Sequence, residues 1–195
     1  MKQRLLLVLL LILAIKSFSQ DSKFSIEASF PIPVGDNFLG KDYGGIIDIG
    51  IKYRFSELKI VNIGASINGG LLKNYKVEGI PIFDLNSYTI QPRIFAEFNI
   101  EKLSKLHPQI GLGYSFLIFE TTKYNGTGNP PKTDSDLTED GINLNLGLSY
   151  DITDKFFVQV QYDFIKIRFD KDRRYTPTKY NTNLSILKFG LGFRI

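Results

Sequence analysis

A period-two alternation of apolar and polar residues restricts the fold of this chain more than any other feature. In one segment, Ile142, Leu144 and Leu146 alternate with Asn143 and Asn145. Such alternation puts successive side chains on opposite faces of a β-strand. It recurs in eight segments, at residues 24–30, 47–55, 61–70, 88–98, 109–118, 142–150, 156–164 and 187–195. Gly, Asn, Asp, Pro and Lys are concentrated between them, so the sequence predicts eight strands joined by turns and loops.

The connections between these segments alternate between short and long. Short links lie at residues 56–59, 101–107 and 151–155, and longer ones begin near Pro31, Leu72, Glu120 and Asp170. In an antiparallel up-and-down order, all short links lie at one rim and all long ones at the other. Outer-membrane barrels have this arrangement, with short periplasmic turns and strands of about 9 to 11 residues. The predicted fold is therefore all-β, an eight-stranded antiparallel up-and-down transmembrane barrel.

The composition of the two faces separates a membrane barrel from a soluble barrel of the lipocalin kind. The polar phase is crowded with small residues, namely Gly50, Gly64, Ser66, Gly70, Gly111, Gly113, Ser115, Gly147, Ser149, Gly190 and Gly192. A soluble barrel would turn this phase to water and fill it with Lys, Glu and Thr, whereas small residues suit a narrow lumen filled by side chains. The opposite phase is almost entirely Ile, Leu, Val and Phe, which suits contact with hydrocarbon. We therefore favour the membrane barrel over the lipocalin alternative.

Aromatic residues bracket the apolar phase at two heights. We predict Phe24, Tyr53, Phe55, Phe98, Tyr150, Phe156 and Phe193 at the short-turn rim, and Phe30, Tyr43, Tyr88, Phe116 and Phe164 toward the loop rim. Two such girdles are typical of outer-membrane barrels. With this assignment, a positive charge should be tolerated less well at lipid-facing Leu146 than at lumen-facing Asn145.

The N-terminal residues are typical of an export signal. Lys2 and Arg4 precede an apolar run at 5–15, and residues 17–19 form a small-x-small cleavage site. We predict a cleaved signal peptide at 1–19 and one barrel domain at 20–195. The less favoured alternative is a membrane anchor, because the run is shorter than the roughly 20 residues a spanning helix needs. Removing the segment lowers Lys plus Arg from 24 to 21, against 20 acidic residues, so the charge gives no indication of nucleic-acid binding.

Few residues offer catalytic or metal-binding chemistry. The chain has no Cys, which excludes disulfides and thiolate sites, and one His. His107 precedes Pro108 in a predicted short turn with no Ser or carboxylate assigned to it, so we expect a solvated turn histidine. The acidic residues of the third long loop are Asp134, Asp136, Glu139 and Asp140. They could bind Ca²⁺, but their spacing matches no EF-hand, and a solvated loop is the favoured interpretation. We expect no cofactor, no metal and no enzymatic activity.

Charged residues occur in the polar phase of several strands. They are Glu27, Asp48, Lys52, Arg54, Arg93, Glu97, Asp163, Lys188 and Arg194. Charges in a narrow lumen must pair, because an unpaired ion there costs several kcal/mol of desolvation. The sequence therefore predicts a structural ion-pair network that closes the lumen. A gated or very narrow ion path is the alternative.

The second long loop is unusually apolar. It contains Val77, Ile80, Ile82, Phe83 and Leu85 around the turn-like Glu78-Gly79. The favoured interpretation is that these residues fold over the barrel mouth or continue the strands as a hairpin. In the alternative, they protrude and offer an edge to which a partner protein adds a strand.

The C-terminal residues resemble the signal by which the insertion machinery recognises outer-membrane barrels. Lys188, Gly190 and Phe193 match its polar, glycine and aromatic places, and Ile195 stands where Phe is usual. The chain as a whole resembles the outer-membrane protein beta-barrel domain family, which includes PorT-like proteins, with OmpA-type and OmpX-type barrels as distant relatives. This resemblance implies location in the bacterial outer membrane, contact with outer-membrane lipid and lipopolysaccharide, and contact with the insertion machinery during biogenesis.

Three classes of function are compatible with such a barrel. The favoured one is a non-enzymatic structural or surface-interaction protein. The second is a component of a secretion or envelope-assembly machinery, with a surface or periplasmic protein as partner. The third, a narrow channel or lipid-modifying enzyme, is least favoured, because the small-barrel enzymes use a His and His107 is predicted at the periplasmic rim.

Overall fold

Eight strands account for most of the chain in the computed structural model, which describes residues 23–76, 83–123, 132–168 and 176–195. The strands are β1 (Phe24–Val34), β2 (Tyr43–Glu57), β3 (Val61–Asn74), β4 (Phe83–Phe98), β5 (Leu106–Lys123), β6 (Lys132–Asp151), β7 (Phe156–Ile167) and β8 (Asn183–Arg194). Two short helices, α1 (Phe38–Asp42) and α2 (Lys179–Thr182), lie at the long-loop end, and a 3₁₀ turn (Glu101–Leu103) lies at the short-turn end. The predicted export signal at 1–19 lies outside the described residues.

Each strand pairs antiparallel with the next, and β1 pairs with β8 to close the barrel. The closing register runs from Ser25 opposite Arg194 to Val34 opposite Ser185. Closure gives every strand two hydrogen-bonded neighbours and leaves no sheet edge, as a sheet in lipid requires. The predicted fold class is confirmed. No helix in the described residues is long and apolar enough to cross a membrane.

The apolar phase faces outward along every strand. In β6, Ile142 is 58% exposed while the next residue, Asn143, is completely buried. At the short-turn rim, the rings of outward-facing Phe24 and Tyr53 lie 4.6 Å apart. Tyr43 departs from the prediction, because it is half-buried and packs against Phe38 and Phe119 at the barrel mouth instead of joining the loop-rim girdle.

The strands extend further toward the long-loop end than the sequence predicts. β5 has 18 residues and β6 has 20, and their pairing continues to Lys123 opposite Lys132. β1 likewise continues through Pro31 to Val34. The alternation fades there because both faces of a strand above the membrane can meet water, so polar composition is no evidence against a strand. The predicted third-loop acids therefore lie in β6.

Small residues in the lumen make room for large inward-facing rings. Phe95 and Phe157 are both buried inside the barrel. A Cβ atom on Gly64 would overlap the ring of Phe95, and one on Gly192 would overlap the ring of Phe157. Gly64 and Gly192 thus let these two rings pack directly against the strand backbone.

An apolar plug fills the outer half of the lumen. It consists of Leu39, Leu72, Leu117, Phe119, Ile165, Ile167, Leu184 and Ile186, all buried. Leu39 comes from α1, whose N-terminus is capped by Asn37 accepting a hydrogen bond from the Gly40 amide at 2.8 Å. The lumen therefore has two layers, an apolar one toward the long loops and a charged one toward the short turns.

Candidate functional site

Asp163 is the centre of the charged layer. This fully buried carboxylate lies 2.8 Å from Arg93 Nη2 and 3.0 Å from Lys188 Nζ. The Lys188 ammonium also lies 2.6 Å from Asp48 Oδ2. Side chains from β2, β4, β7 and β8 thus meet across the lumen, where Lys188 bridges the two anions and Asp163 binds both cations.

Two further ion pairs lie beside this centre. Lys52 Nζ lies 2.5 Å from Glu27 Oε1. The Arg54 guanidinium donates two hydrogen bonds of 3.1 Å, one to each carboxylate oxygen of Glu97. All these side chains are almost completely buried. A bidentate pair of this kind fixes geometry as well as charge.

Neutral amides connect the ion pairs, and the sequence analysis missed them. Gln91 Oε1 accepts hydrogen bonds from Arg93 at 2.6 Å and from Lys188 at 2.8 Å. Asn145 donates to Asp163 at 2.7 Å and accepts from Gln109 at 3.0 Å. The lower cost of a positive charge at Asn145 than at Leu146 stays a prediction, but a charged replacement would break these hydrogen bonds of Asn145. Its inward position was visible in the alternation, but its partners depend on the register of distant strands.

Arg194 has its salt bridge with a residue outside the predicted set. Its guanidinium lies 2.7 Å from Asp151 Oδ1 at the short-turn end and 4.8 Å from the centroid of the Phe157 ring. The other oxygen of Asp151 lies 2.9 Å from His107 Nε2. These contacts join the last residues of β8 to β5, β6 and β7.

The expectation for His107 was wrong in two respects. It lies in β5 and not in a turn, because pairing with β6 extends down to Leu106 opposite Tyr150. It also has a carboxylate partner in Asp151, and the Ser149 hydroxyl lies 3.5 Å from its main-chain oxygen. No pattern in the sequence indicates these contacts, since the residues are more than 40 positions apart.

The acidic residues of β6 point to opposite faces. Glu139 is buried toward the inside, whereas Asp140 faces outward, accepts a hydrogen bond from Tyr114 and lies 3.2 Å from Arg168 Nε. The side chains of Asp134 and Asp136 lie outside the described part of the structure. Within that part, no group of three or more His, Asp or Glu side chains is placed to hold a metal ion.

The remaining predicted residues lie on β8 and at the start of β4. Phe193 faces outward, Lys188 faces inward, and the Ile195 amide donates to the Phe24 carbonyl oxygen at 2.9 Å. Phe83 begins β4 and Leu85 lines a cavity at the barrel mouth. Val77, Ile80 and Ile82 lie outside the described residues, as does the side chain of Phe83.

A closed eight-stranded barrel with an apolar outer surface and a packed, charged interior defines an outer-membrane barrel. Residues 5–194 match the family described as Outer membrane protein beta-barrel domain, and the chain belongs to this family. The protein is therefore located in the bacterial outer membrane. A search of curated protein sequences found no match.

Several solved structures share the fold. Ail, the attachment invasion locus protein of Yersinia pestis, superposes with a TM-score of 0.54 at 13% identity, covering 88% of this chain and 96% of Ail. Neisserial surface protein A superposes with a TM-score of 0.52 at 17% identity, covering 88% of this chain and 96% of that protein. The outer membrane enzyme PagL gives 0.50 at 13% identity, covering 88% of this chain and 99% of PagL. At these identities the similarity shows the fold, which surface proteins and an enzyme share.

Proposed function

We propose that this protein is a non-enzymatic barrel with a structural or surface-interaction role, and that its internal ion-pair network closes the lumen. The observation that carries the proposal is the set of buried ion pairs centred on Asp163. An ion crossing the lumen would have to displace these pairs, and separating a buried pair costs several kcal/mol. The apolar plug adds a second obstacle toward the outside.

The surroundings of His107 support a structural role for this residue. Its partner Asp151 also lies 2.7 Å from the permanently charged Arg194, so this carboxylate is shared and does not serve the imidazole alone. The Ser149 hydroxyl is directed at the main-chain oxygen of His107, whereas a nucleophile would have to bond the imidazole. These contacts favour a structural link between neighbouring strands over an acyl-transfer site.

Two measurements, one on the purified protein and one in cells, test the proposal. In planar bilayers we expect no stable conductance steps, and in cells we expect the acylation of lipid A to be the same with and without the protein. Stable porin-like steps would overturn the closed lumen. A change in lipid A that disappears with His107→Asn would overturn the non-enzymatic role. Isolation of the protein in a complex with secretion or envelope proteins would favour the alternative function, a component of a secretion or envelope-assembly machinery.

We also propose that β8 carries the insertion signal in Lys188, Gly190, Phe193 and Ile195. This is supported by the outward position of Phe193, 46% exposed on the strand that closes the barrel. Phe193→Ala should slow assembly in the presence of the insertion machinery more than it slows unassisted refolding. Phe189→Ala, an outward-facing change on the same strand, is the control. Equal effects of the two changes would contradict the proposal.

A further inference from the structure

Three aromatic side chains from separate elements meet at the outer mouth of the barrel. Phe38 begins α1, Tyr43 begins β2 and Phe119 lies near the outer end of β5. The ring centroid of Phe119 lies 5.8 Å from that of Phe38 and 5.9 Å from that of Tyr43, and the latter two lie 6.4 Å apart. The contacts have the tilted and edge-to-face geometry of favourable ring pairs, so the cluster is a fixed surface.

These rings form one wall of a cavity of about 470 Å³. The other described residues that line it are Leu85, Thr121, Leu137, Glu139, Tyr180 and Asn181. The volume and the largely apolar lining are those of a small-molecule site, in which a few polar groups set the orientation of the ligand. Its position among α1, α2 and the outer ends of the strands places it on the side of the long loops. We call it the mouth pocket.

Glu139 is the one charged residue among those described residues of the lining. It is only 4% exposed, so its carboxylate acts in a medium where electrostatic attraction is stronger than in water. A carboxylate accepts several hydrogen bonds at once, and a ligand donor can therefore be added to its existing contacts. The nearby Lys41 ammonium, 5.7 Å from the centroid of the Tyr180 ring, has its charge compensated by Asp36 at 2.5 Å.

Aromatic faces and a carboxylate together attract the same chemical group. The negative faces of Tyr and Phe rings attract ammonium groups, and a buried acid adds a charge-assisted hydrogen bond. Leu85, Leu137 and Phe119 offer an apolar surface to the rest of such a ligand. The lining is thus complementary to a cation with an apolar body, and less so to an anion.

We propose that the mouth pocket binds a small organic amine with an aromatic or aliphatic body. The ammonium group lies against Glu139 and the aromatic rings, and the body packs against the leucines. The apolar plug lies beneath the pocket, so the ligand is held at the surface and not passed into the lumen. This inference deepens the proposed surface-interaction role and rests on it.

The test compares two probes of nearly equal shape, 2-phenylethylamine and 2-phenylethanol. Their binding to the refolded full-length barrel in detergent is measured by calorimetry and by NMR shifts. We expect the amine to bind at least about tenfold more tightly than the alcohol, because a hydrogen bond between charged groups is stronger than one from a neutral donor. Glu139→Gln should remove this preference and leave the alcohol unchanged.

Asp140→Asn is the matched control. It removes the same charge from the next residue of the same strand, but on the outward face, so the amine preference should survive. Tyr180 lies in α2 and its side chain is 41% exposed. Tyr180→Leu should weaken binding of the amine about three- to tenfold through loss of the cation–π contact. Each variant is first shown to be folded by its mobility in unheated gels.

The other outcomes overturn the inference. Equal affinities for amine and alcohol would make the pocket merely apolar, and binding of neither probe would exclude the site. If Glu139→Gln and Asp140→Asn lowered the affinity for the amine equally, the effect would be one of overall charge and not of the mouth pocket. In all three cases the conductance and lipid A measurements are unaffected, so the closed non-enzymatic barrel is judged separately.

Discussion

At the residue scale, Asp163 is the charge on which the interior depends most. Asp163→Asn keeps the shape of the side chain but leaves Arg93 and Lys188 without their shared anion. We expect the free energy of unfolding to fall by about 3 to 5 kcal/mol, the usual cost of removing one member of a buried pair. Urea titrations of the barrel in phospholipid vesicles measure this.

Asp36→Asn makes the same chemical change in an exposed pair, since Asp36 is 85% exposed beside Lys41. The Asp36 hydrogen bond raises the pKa of the Lys41 ammonium, but water and salt screen an exposed pair, so the free energy of unfolding should change little. If Asp36→Asn lowered the free energy of unfolding as much as Asp163→Asn does, the central role of the buried network would be contradicted.

Leu146 tests which face meets lipid. It is 48% exposed in the middle of β6, and a lysine at the bilayer midplane costs about 2 to 4 kcal/mol. Leu146→Lys should lower the free energy of unfolding by that amount in the same vesicles. Ile152→Lys, in the exposed turn after β6, should change it by less than about 1 kcal/mol. Equal costs at the two positions would refute the assignment of the outer surface. Asn145 is unsuitable as a control because it bonds Asp163.

At the element scale, β8 depends on a glycine that lets an aromatic ring approach its backbone. In Gly192→Val, the new side chain would overlap the ring of Phe157, which also packs against the Arg194 guanidinium. Overpacking typically costs about 1 to 3 kcal/mol, so we expect a lower refolding yield and a lower urea midpoint. Gly69→Val, on the lipid-facing side of β3, should have little effect, because a Cβ there makes only an ordinary contact with the Thr89 carbonyl oxygen at 3.9 Å. The packing argument fails if Gly69→Val is the more damaging change.

The sequence predicted the membrane part of each strand because two environments act on every strand there. Lipid requires apolar residues on one face and the narrow lumen admits small or polar ones on the other, so period two identified residues such as Ile142 and Asn143. Above the membrane this constraint ends, so the alternation does not predict the outer half of β6, which the structure shows to be strand. The helix α1 is too short for a periodic pattern, and its role in placing Leu39 in the plug appears only in the structure.

For the buried ion pairs, the sequence predicts which charged residues face the lumen but not which of them pair. Alternation put Lys52 and Glu27 in the lumen, whereas their pairing follows from the register of β1 with β2. His107 and Asp151 come together because the base of β5 pairs with β6 beyond the expected turn. Such contacts are set by strand register, which a single sequence specifies only weakly.

At the scale of the whole molecule, the lumen contains two barriers of different chemistry in series. The ion pairs around Asp163 resist ions because displacing them leaves buried charge, and the apolar plug resists ions because it offers no ligands for them. A defect in one barrier leaves the other in place. The barrel is therefore expected to stay closed when either layer is altered alone.

This series arrangement gives a conductance prediction. Replacing both Arg93 and Asp163 by Ala removes a balanced pair while Lys188 keeps its contact with Asp48. Replacing both Leu117 and Ile165 by Ala opens the plug, since both side chains are completely buried there. In planar bilayers each double variant should give no stable steps, whereas the fourfold variant should leak. Steady conductance from the Arg93/Asp163 variant alone would show that the plug does not seal the outer half. A fourfold variant that remains folded and silent would place the barrier elsewhere in the barrel.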